Sequence, residues 1–185
     1  MVYYQKERSG IIKDEGLGLI HIYYGEGVGK TTRAVGLALR AAGEGLNVDF
    51  VQFMKSGRSG EASMFKKIPN ISYRCPGPHP FILSKGPEPV HFQHASKALE
   101  YAHDAIVRST DLLICDEILN TVLFGILPKD SLLELAHECK GKVELVMTGR
   151  DAFPQLIEIA DYITEFLLRK HPYYRGAKAR KGIEY

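Results

Sequence analysis

Apolar residues in this chain come in short runs of strand length. They fall at Leu17–Tyr24, Val48–Phe53, Ile71–Cys75, Leu112–Cys115, Val143–Met147 and Tyr162–Leu168. Several of these runs lack strict alternation of apolar and polar residues, which marks strands covered on both faces. Between them lie stretches with helical spacing at Lys30–Ala42, His91–Arg108, Asp130–Cys139 and Pro154–Ala160, and a shorter helix is expected within Ile118–Phe124. Gly43 and Gly45 suit the end of the first helix. Buried strands alternating with helices predict an α/β fold, a mostly parallel sheet with helices on both faces. The segment Cys75–Pro89 holds five prolines and two glycines in fifteen residues. It cannot form a regular helix and reads as a long shaped loop of the kind that carries specificity. Residues 1–16 read as an N-terminal arm and 17–185 as one domain, with no internal repeat.

Composition narrows the partners. With 185 residues, 45% of them hydrophobic, the chain can bury one full core. A formal net charge of +2, from 24 basic and 22 acidic residues, lacks the positive bias of a protein dominated by phosphate-backbone contacts, so no nucleic-acid partner is expected. No apolar stretch approaches the roughly 20 residues needed to cross a bilayer, and Met1–Ser9 is polar rather than a secretory leader. A cytoplasmic protein with no membrane partner is expected. Cys75, Cys115 and Cys139 form no CxxC pair and indicate neither a zinc knuckle nor a disulfide frame.

The strongest chemical signal lies at Gly25–Thr32, GEGVGKTT, between a strand pattern and a helix pattern. Glycines let consecutive amides turn toward phosphate oxygens, and the following helix adds its positive N-terminal end. Lys30 can then reach the outer phosphates and the Thr31 hydroxyl can ligate magnesium, as in G-x-x-x-x-G-K-[ST], although Tyr24 stands at that pattern's first glycine. Leu112–Cys115 is followed by Asp116 and Glu117. In an open parallel sheet, ligands lie at the carboxyl ends of the strands, so one of these acids should sit beside Thr31 and the phosphates. They also suit the cap of a helix starting near Ile118. Arg150, after the run ending at Met147, is placed to meet phosphate oxygens. The tail at 169–181 carries Arg169, Lys170, Arg175, Lys178, Arg180 and Lys181, interleaved with prolines, tyrosines and glycines. It is expected to lie as a shaped segment against the protein. No arrangement of serine, histidine and acid declares a nucleophile.

Taken in order, Tyr24–Thr32, then Val51-Gln52-Phe53-Met54-Lys55, Asp116-Glu117, Thr148-Gly149-Arg150, Lys170-His171-Pro172-Tyr173 and Gly176–Tyr185 resemble the ATP:corrinoid adenosyltransferase family. The resemblance runs from about position 17 to the C-terminus. It implies a RecA-like P-loop fold, usually a homodimer, that transfers the 5′-deoxyadenosyl group of ATP to the cobalt of a corrinoid and releases tripolyphosphate. Reduced cobalt(I) is then the nucleophile, which accounts for the missing catalytic base. By the same resemblance Gly25, Glu26, Gly27, Val28, Gly29, Lys30, Thr31 and Thr32 bind ATP, in the reverse sense along the loop. Thr31 and Glu117 hold Mg2+ or Mn2+, and Lys30, Glu117 and Arg150 form the catalytic set. A reduced flavoprotein is the implied electron donor.

The chain departs from the family pattern in two places. Glu26 and Val28 stand where the family loop commonly has asparagine and lysine. The family's Gly-Phe-Thr-Trp motif on the corrinoid loop is replaced by Gly77-Pro78-His79-Pro80-Phe81, and the chain has no tryptophan. Gly77, His79 and Phe81 are the corrinoid-binding candidates, with Phe81 the stand-in for the missing aromatics and His79 a candidate to approach cobalt. Two other functions fit the residues alone: a phosphotransferase or ATPase acting on another substrate, and a non-catalytic nucleotide or corrinoid carrier.

Overall fold

A computed structural model of the protein describes residues 16–82 and 84–184. The expected arm lies outside the described residues apart from Gly16. Six strands are present, β1 (Ile20–Tyr24), β2 (Val48–Gln52), β3 (Ile71–Arg74), β4 (Leu112–Asp116), β5 (Glu144–Thr148) and β6 (Tyr162–Glu165). They form one sheet in the order β3-β2-β4-β5-β1-β6, and every neighbouring pair is parallel. The helices are α1 (Lys30–Gly43), α2 (Gly60–Phe65), α3 (Pro89–Val107), α4 (Ile118–Leu123), α5 (Lys129–Cys139) and α6 (Pro154–Ile159). One strand, β5, separates β1 from the acid-bearing β4, as a RecA-like P-loop fold requires.

The continuous apolar runs have a simple cause. Val48 and Phe50 of β2, Leu112 and Ile114 of β4 and Val146 of β5 pack with Ala34, Ala38 and Ala41 of α1 and Phe65 of α2. Their sequence neighbours Val51, Leu113, Cys115, Leu145 and Met147 face the other way, onto Ala98, Ala102 and Ala105 of α3 and Leu132 and Leu135 of α5. Alternate residues thus enter two separate cores, so both must be apolar. The alanine stripes at helical spacing let the helices lie close to the sheet.

Three sequence expectations shift. Strand β1 starts at Ile20 rather than Leu17, because Gly18, at φ +123°, bends against the Gly141–Lys142 backbone; a Cβ there would lie 2.4 Å from the Lys142 nitrogen. Helix α2 went unforeseen: it is six residues long and its buried residues are Ala62 and Phe65, too little for a readable period. The tail is shaped, with a short 3-10 helix at Pro172–Arg175 and an Arg180–Glu184 ion pair. It does not lie against the protein, since residues 172–184 are exposed. Their charges and prolines give them little apolar surface to bury.

The lower, amino-terminal edge of the sheet is fixed by Glu144. Its Oε2 accepts the amides of Gly18 and Leu19, both at 2.9 Å, and Oε1 bonds His21 Nε2. Burial alone would raise the carboxyl, but the His21 bond and the two amides outweigh it and hold it below the usual range. A depressed carboxyl adds stability above its unfolded value near pH 4.3, and that stability is lost as pH falls through the folded value. Glu144→Gln is therefore expected to destabilise the protein by about 1 kcal/mol at pH 7, after allowing for solvent screening. The gap should close toward pH 3. Urea unfolding at both pH values measures it; an equal gap at each would disprove the linkage.

Candidate active site

Strand β1 ends at Tyr24 and the chain turns through Gly25 (φ +110°) and Gly29 (φ +105°) into α1. The loop sits on the residue that follows β6. Gly27 N donates to the Phe166 carbonyl at 2.6 Å, and a Cβ on Gly27 would lie 2.6 Å from the Phe166 carbonyl carbon. Gly25 N donates to the Arg150 carbonyl at 3.0 Å. These close approaches are why the two positions carry no side chain. No side chain caps α1 and its first turn holds no acid. The opening amides of a 14-residue helix thus point their partial positive charge into the site.

Lys30 folds across this loop, donating from Nζ to the carbonyls of Gly25 and Gly27, each at 2.6 Å. Burial lowers its affinity for a proton, while Glu26 and Glu117 partly restore it. Thr31 points at the acid-bearing strand. Its hydroxyl meets Asp116 Oδ1 at 3.0 Å and Oδ2 at 3.2 Å. Asp116 is completely buried. It also accepts from the Thr148 hydroxyl at 2.8 Å and from Gln52 Nε2 at 3.1 Å. Burial raises its carboxyl, opposed by Lys55 and by the threonine hydrogen bonds.

Glu117 occupies the adjacent position but points elsewhere. Its backbone is left-handed, φ +64°, and its amide donates to Thr148 Oγ1 at 2.8 Å. Its carboxylate pairs with Lys55 Nζ at 2.9 Å. A left-handed backbone on a residue with a side chain costs about 1 kcal/mol or more, strain of the sort that collects at functional sites. Here it lets consecutive acids face different partners. The pair acts on Lys55 in turn: burial works against its charge, but Glu117 and Asp116 prevail and its pKa is raised.

A cavity of about 200 Å³ is lined by Glu26, Gly27, Val28, Lys30, Thr31, Glu117, Asn120, Thr148 and Arg150. Fold and sequence pattern thus bring together Lys30, Thr31, Glu117 and Arg150, while the Val28 side chain is largely solvent-exposed. Asn120 holds the Arg150 amide through Oδ1 at 2.8 Å. Gly77, His79 and Phe81 lie apart from this cavity on the β3–α3 loop, with the Phe81 ring 92% exposed. A family model described as "ATP:corrinoid adenosyltransferase BtuR/CobO/CobP" matches residues 16–185.

The chain belongs to the ATP:corrinoid adenosyltransferase family.

Named relatives agree with this adenosyltransferase assignment. A corrinoid adenosyltransferase of Pseudomonas aeruginosa is 32% identical over 189 residues, covering 97% of this chain and 93% of the relative. The corrinoid adenosyltransferase of Escherichia coli K12 is 29% identical over 175 residues, covering 91% and 86%. That of Salmonella typhimurium is 28% identical over 178 residues, covering 92% and 87%. Within the adenosyltransferase site, sequence reasoning left open which acid meets Thr31; in the structure it is Asp116. It also missed Gln52, Glu61 and Tyr73, a hydrogen-bonded set in which Gln52 is buried and the other two are partly buried. Tyr73 OH donates to Gln52 Oε1 at 2.6 Å, and Gln52 Nε2 reaches both Asp116 and Glu61. The family-like VQFxK segment, Val51–Lys55, was the available signal, since it supplies both Gln52 and Lys55.

Proposed function

We propose that this protein transfers the 5′-deoxyadenosyl group of ATP to the cobalt of a reduced corrinoid, with tripolyphosphate as leaving group. The observation that carries this reading is the lining of the phosphate cavity: cations, amides, two threonine hydroxyls and carboxylates, with no histidine, cysteine or serine among the described residues. Such a site can hold and neutralise a polyphosphate but supplies no protein nucleophile. Adenosyl transfer needs none, because cobalt(I) donates the electron pair that forms the cobalt–carbon bond. The C5′–O bond breaks and its electrons leave on tripolyphosphate. Lys30, Arg150 and the α1 amides stand where that charge develops, so they serve by electrostatic stabilisation.

The donor set fits a hard divalent cation. Among the described residues no group of three or more histidines, cysteines and acids is placed to hold a metal. Magnesium does not need one, since it keeps several waters and binds through one or two protein oxygens together with substrate phosphates. Thr31 and Glu117 would hold it, and Asp116 would take the Thr31 hydrogen and leave the hydroxyl lone pairs toward the phosphates. The cation would neutralise triphosphate charge. Glu117→Gln is expected to raise the magnesium concentration for half-maximal activity by about tenfold. A titration that overlays wild type would exclude Glu117 as a ligand.

Incubation with ATP and chemically reduced corrinoid tests the whole reading. The expected products are adenosylcorrinoid and tripolyphosphate; ADP and orthophosphate would overturn it. A reduced flavoprotein is the electron donor in this scheme, and the enzyme acts as a homodimer in the cytoplasm. In support, Cys75, Cys115 and Cys139 are all free thiols, as a reducing compartment keeps them. Strand β6 leaves an open sheet edge with Tyr162 and Ile163 exposed, which a second copy can cover. Among the described residues no helix is long and apolar enough to cross a membrane.

A further inference from the structure

Lys55 lies outside the phosphate cavity, whose lining includes Glu117 but not the lysine. Its ammonium nevertheless meets that lining, with Nζ 2.9 Å from Glu117 Oε1. Both side chains are only partly exposed, so the pair is less open to solvent than an ordinary surface bridge. The backbone beneath it is unusual on each side. Strands β2 and β4 are neighbours with Gln52 level with Asp116, and the Phe53 amide extends their ladder by donating to the Asp116 carbonyl at 2.9 Å. The chain then leaves the ladder at Met54, φ +45°, as the opposite strand leaves it at Glu117, φ +64°. These are two of the three non-glycine residues with positive φ among the described residues. Left-handed backbone on such residues is costly and collects at functional sites. Here the two turns bring Lys55 and Glu117 together. The lysine's backbone is also fixed from the β3–α3 loop: its carbonyl accepts from Cys75 Sγ at 3.4 Å, and a Cβ on Gly57, φ +70°, would lie 3.3 Å from the same sulfur.

Glu117 needs such a partner. It directly follows Asp116, a buried carboxylate already committed to Thr31, Thr148 and Gln52. Adjacent like charges repel, and hydration favours turning the second carboxylate out to solvent. Glu61, which accepts from Gln52 Nε2 at 3.2 Å, adds a third acid nearby. Lys55 offsets this excess and holds one carboxylate where it lines the cavity. A carboxylate has two oxygens, so one lysine leaves it capacity for a metal ion. The lysine's charge also repels a metal, and the two effects oppose each other. Ligands that lose an outer partner typically lose about 10–100-fold in metal affinity, so aim outweighs repulsion.

Resting on the metal-ligand role of Glu117 proposed above, we infer that Lys55 is a positioning residue of the phosphate site: it holds the Glu117 carboxylate ready for the magnesium ion that accompanies the triphosphate, and does not itself contact phosphate.

Calorimetric titration of the full-length protein with inorganic tripolyphosphate, once in excess magnesium and once in EDTA, tests this without turnover. In wild type, magnesium should tighten binding. Lys55→Met should lose about tenfold of that gain while its affinity in EDTA stays within about twofold of wild type. Lys55→Arg, which keeps the charge, should retain most of the gain, and Lys55→Gln, which keeps only a donor, should not; this second pair decides the question if Lys55→Met does not fold. Adding Lys55→Met to Glu117→Gln should reduce the gain no further, because the lysine acts through that glutamate. A full or enlarged magnesium gain in Lys55→Met, or an equal loss of affinity with and without magnesium, would overturn the inference and leave Glu117 as a ligand. If Glu117→Gln keeps the whole gain, or wild type shows none, the metal-ligand reading fails and the inference fails with it.

Discussion

Asp116→Asn is expected to reduce adenosyl transfer by about 10²-fold or more and to destabilise the protein by about 2–4 kcal/mol. Both effects come from one carboxylate. It accepts from three side chains, Thr31, Thr148 and Gln52, and has no exposed surface from which to draw a water partner. An amide keeps one acceptor oxygen and turns the other into a donor facing donors. At least one of the three side chains is then left unpaired in a dry environment. The damage extends across two strands, because Thr148 also holds the Glu117 amide and Gln52 is braced by Tyr73. Loss of aim in the Thr31 hydroxyl explains the activity term; the orphaned groups explain the stability term. Urea unfolding and single-turnover kinetics separate the two. Wild-type stability in Asp116→Asn would mean that the buried network contributes far less than its geometry implies.

Lys30→Ala is expected to act on function with little effect on the fold. The ammonium group is half-buried and bonded to two loop carbonyls that the substrate's phosphates would replace as partners. Without it, turnover should fall by about 10²–10³-fold, the usual consequence of removing one preorganised donor from a developing negative charge. Calorimetric affinity for tripolyphosphate should fall by the same factor as affinity for ATP, because both lose the same contact. Thermal stability should stay within about 1 kcal/mol of wild type. Unchanged turnover would remove Lys30 from its role, and a loss of ATP affinity without loss of tripolyphosphate affinity would place it at the nucleoside.

Much of this was readable in the sequence because it depends on local chemistry. The glycines and the Lys30-Thr31 pair announce a phosphate loop, and carboxylates ending an apolar strand must sit at the ligand edge once the sheet is parallel. Other features depend on which way a side chain turns after the strand has ended. Asp116 and Glu117 are adjacent and chemically equivalent in a sequence. Only the left-handed turn at Glu117 sends one to Thr31 and the other to Lys55. The Tyr73–Gln52–Asp116 relay crosses three strands, and register across a sheet is invisible to local periodicity.

The wall that Phe166 provides for the phosphate loop has a consequence for how the molecule comes into being. Gly27 is synthesised early, but the carbonyl that receives its amide belongs to the stretch immediately after the final strand. A nascent chain can pair β1 with β5 and still present a phosphate loop with one side open. Closure requires β6 on the edge of β1, which carries Phe166 into place. A chain cut before β6 is therefore expected to lack the wall behind Gly27 and to bind nucleotide more weakly, although every residue of the phosphate loop itself is present.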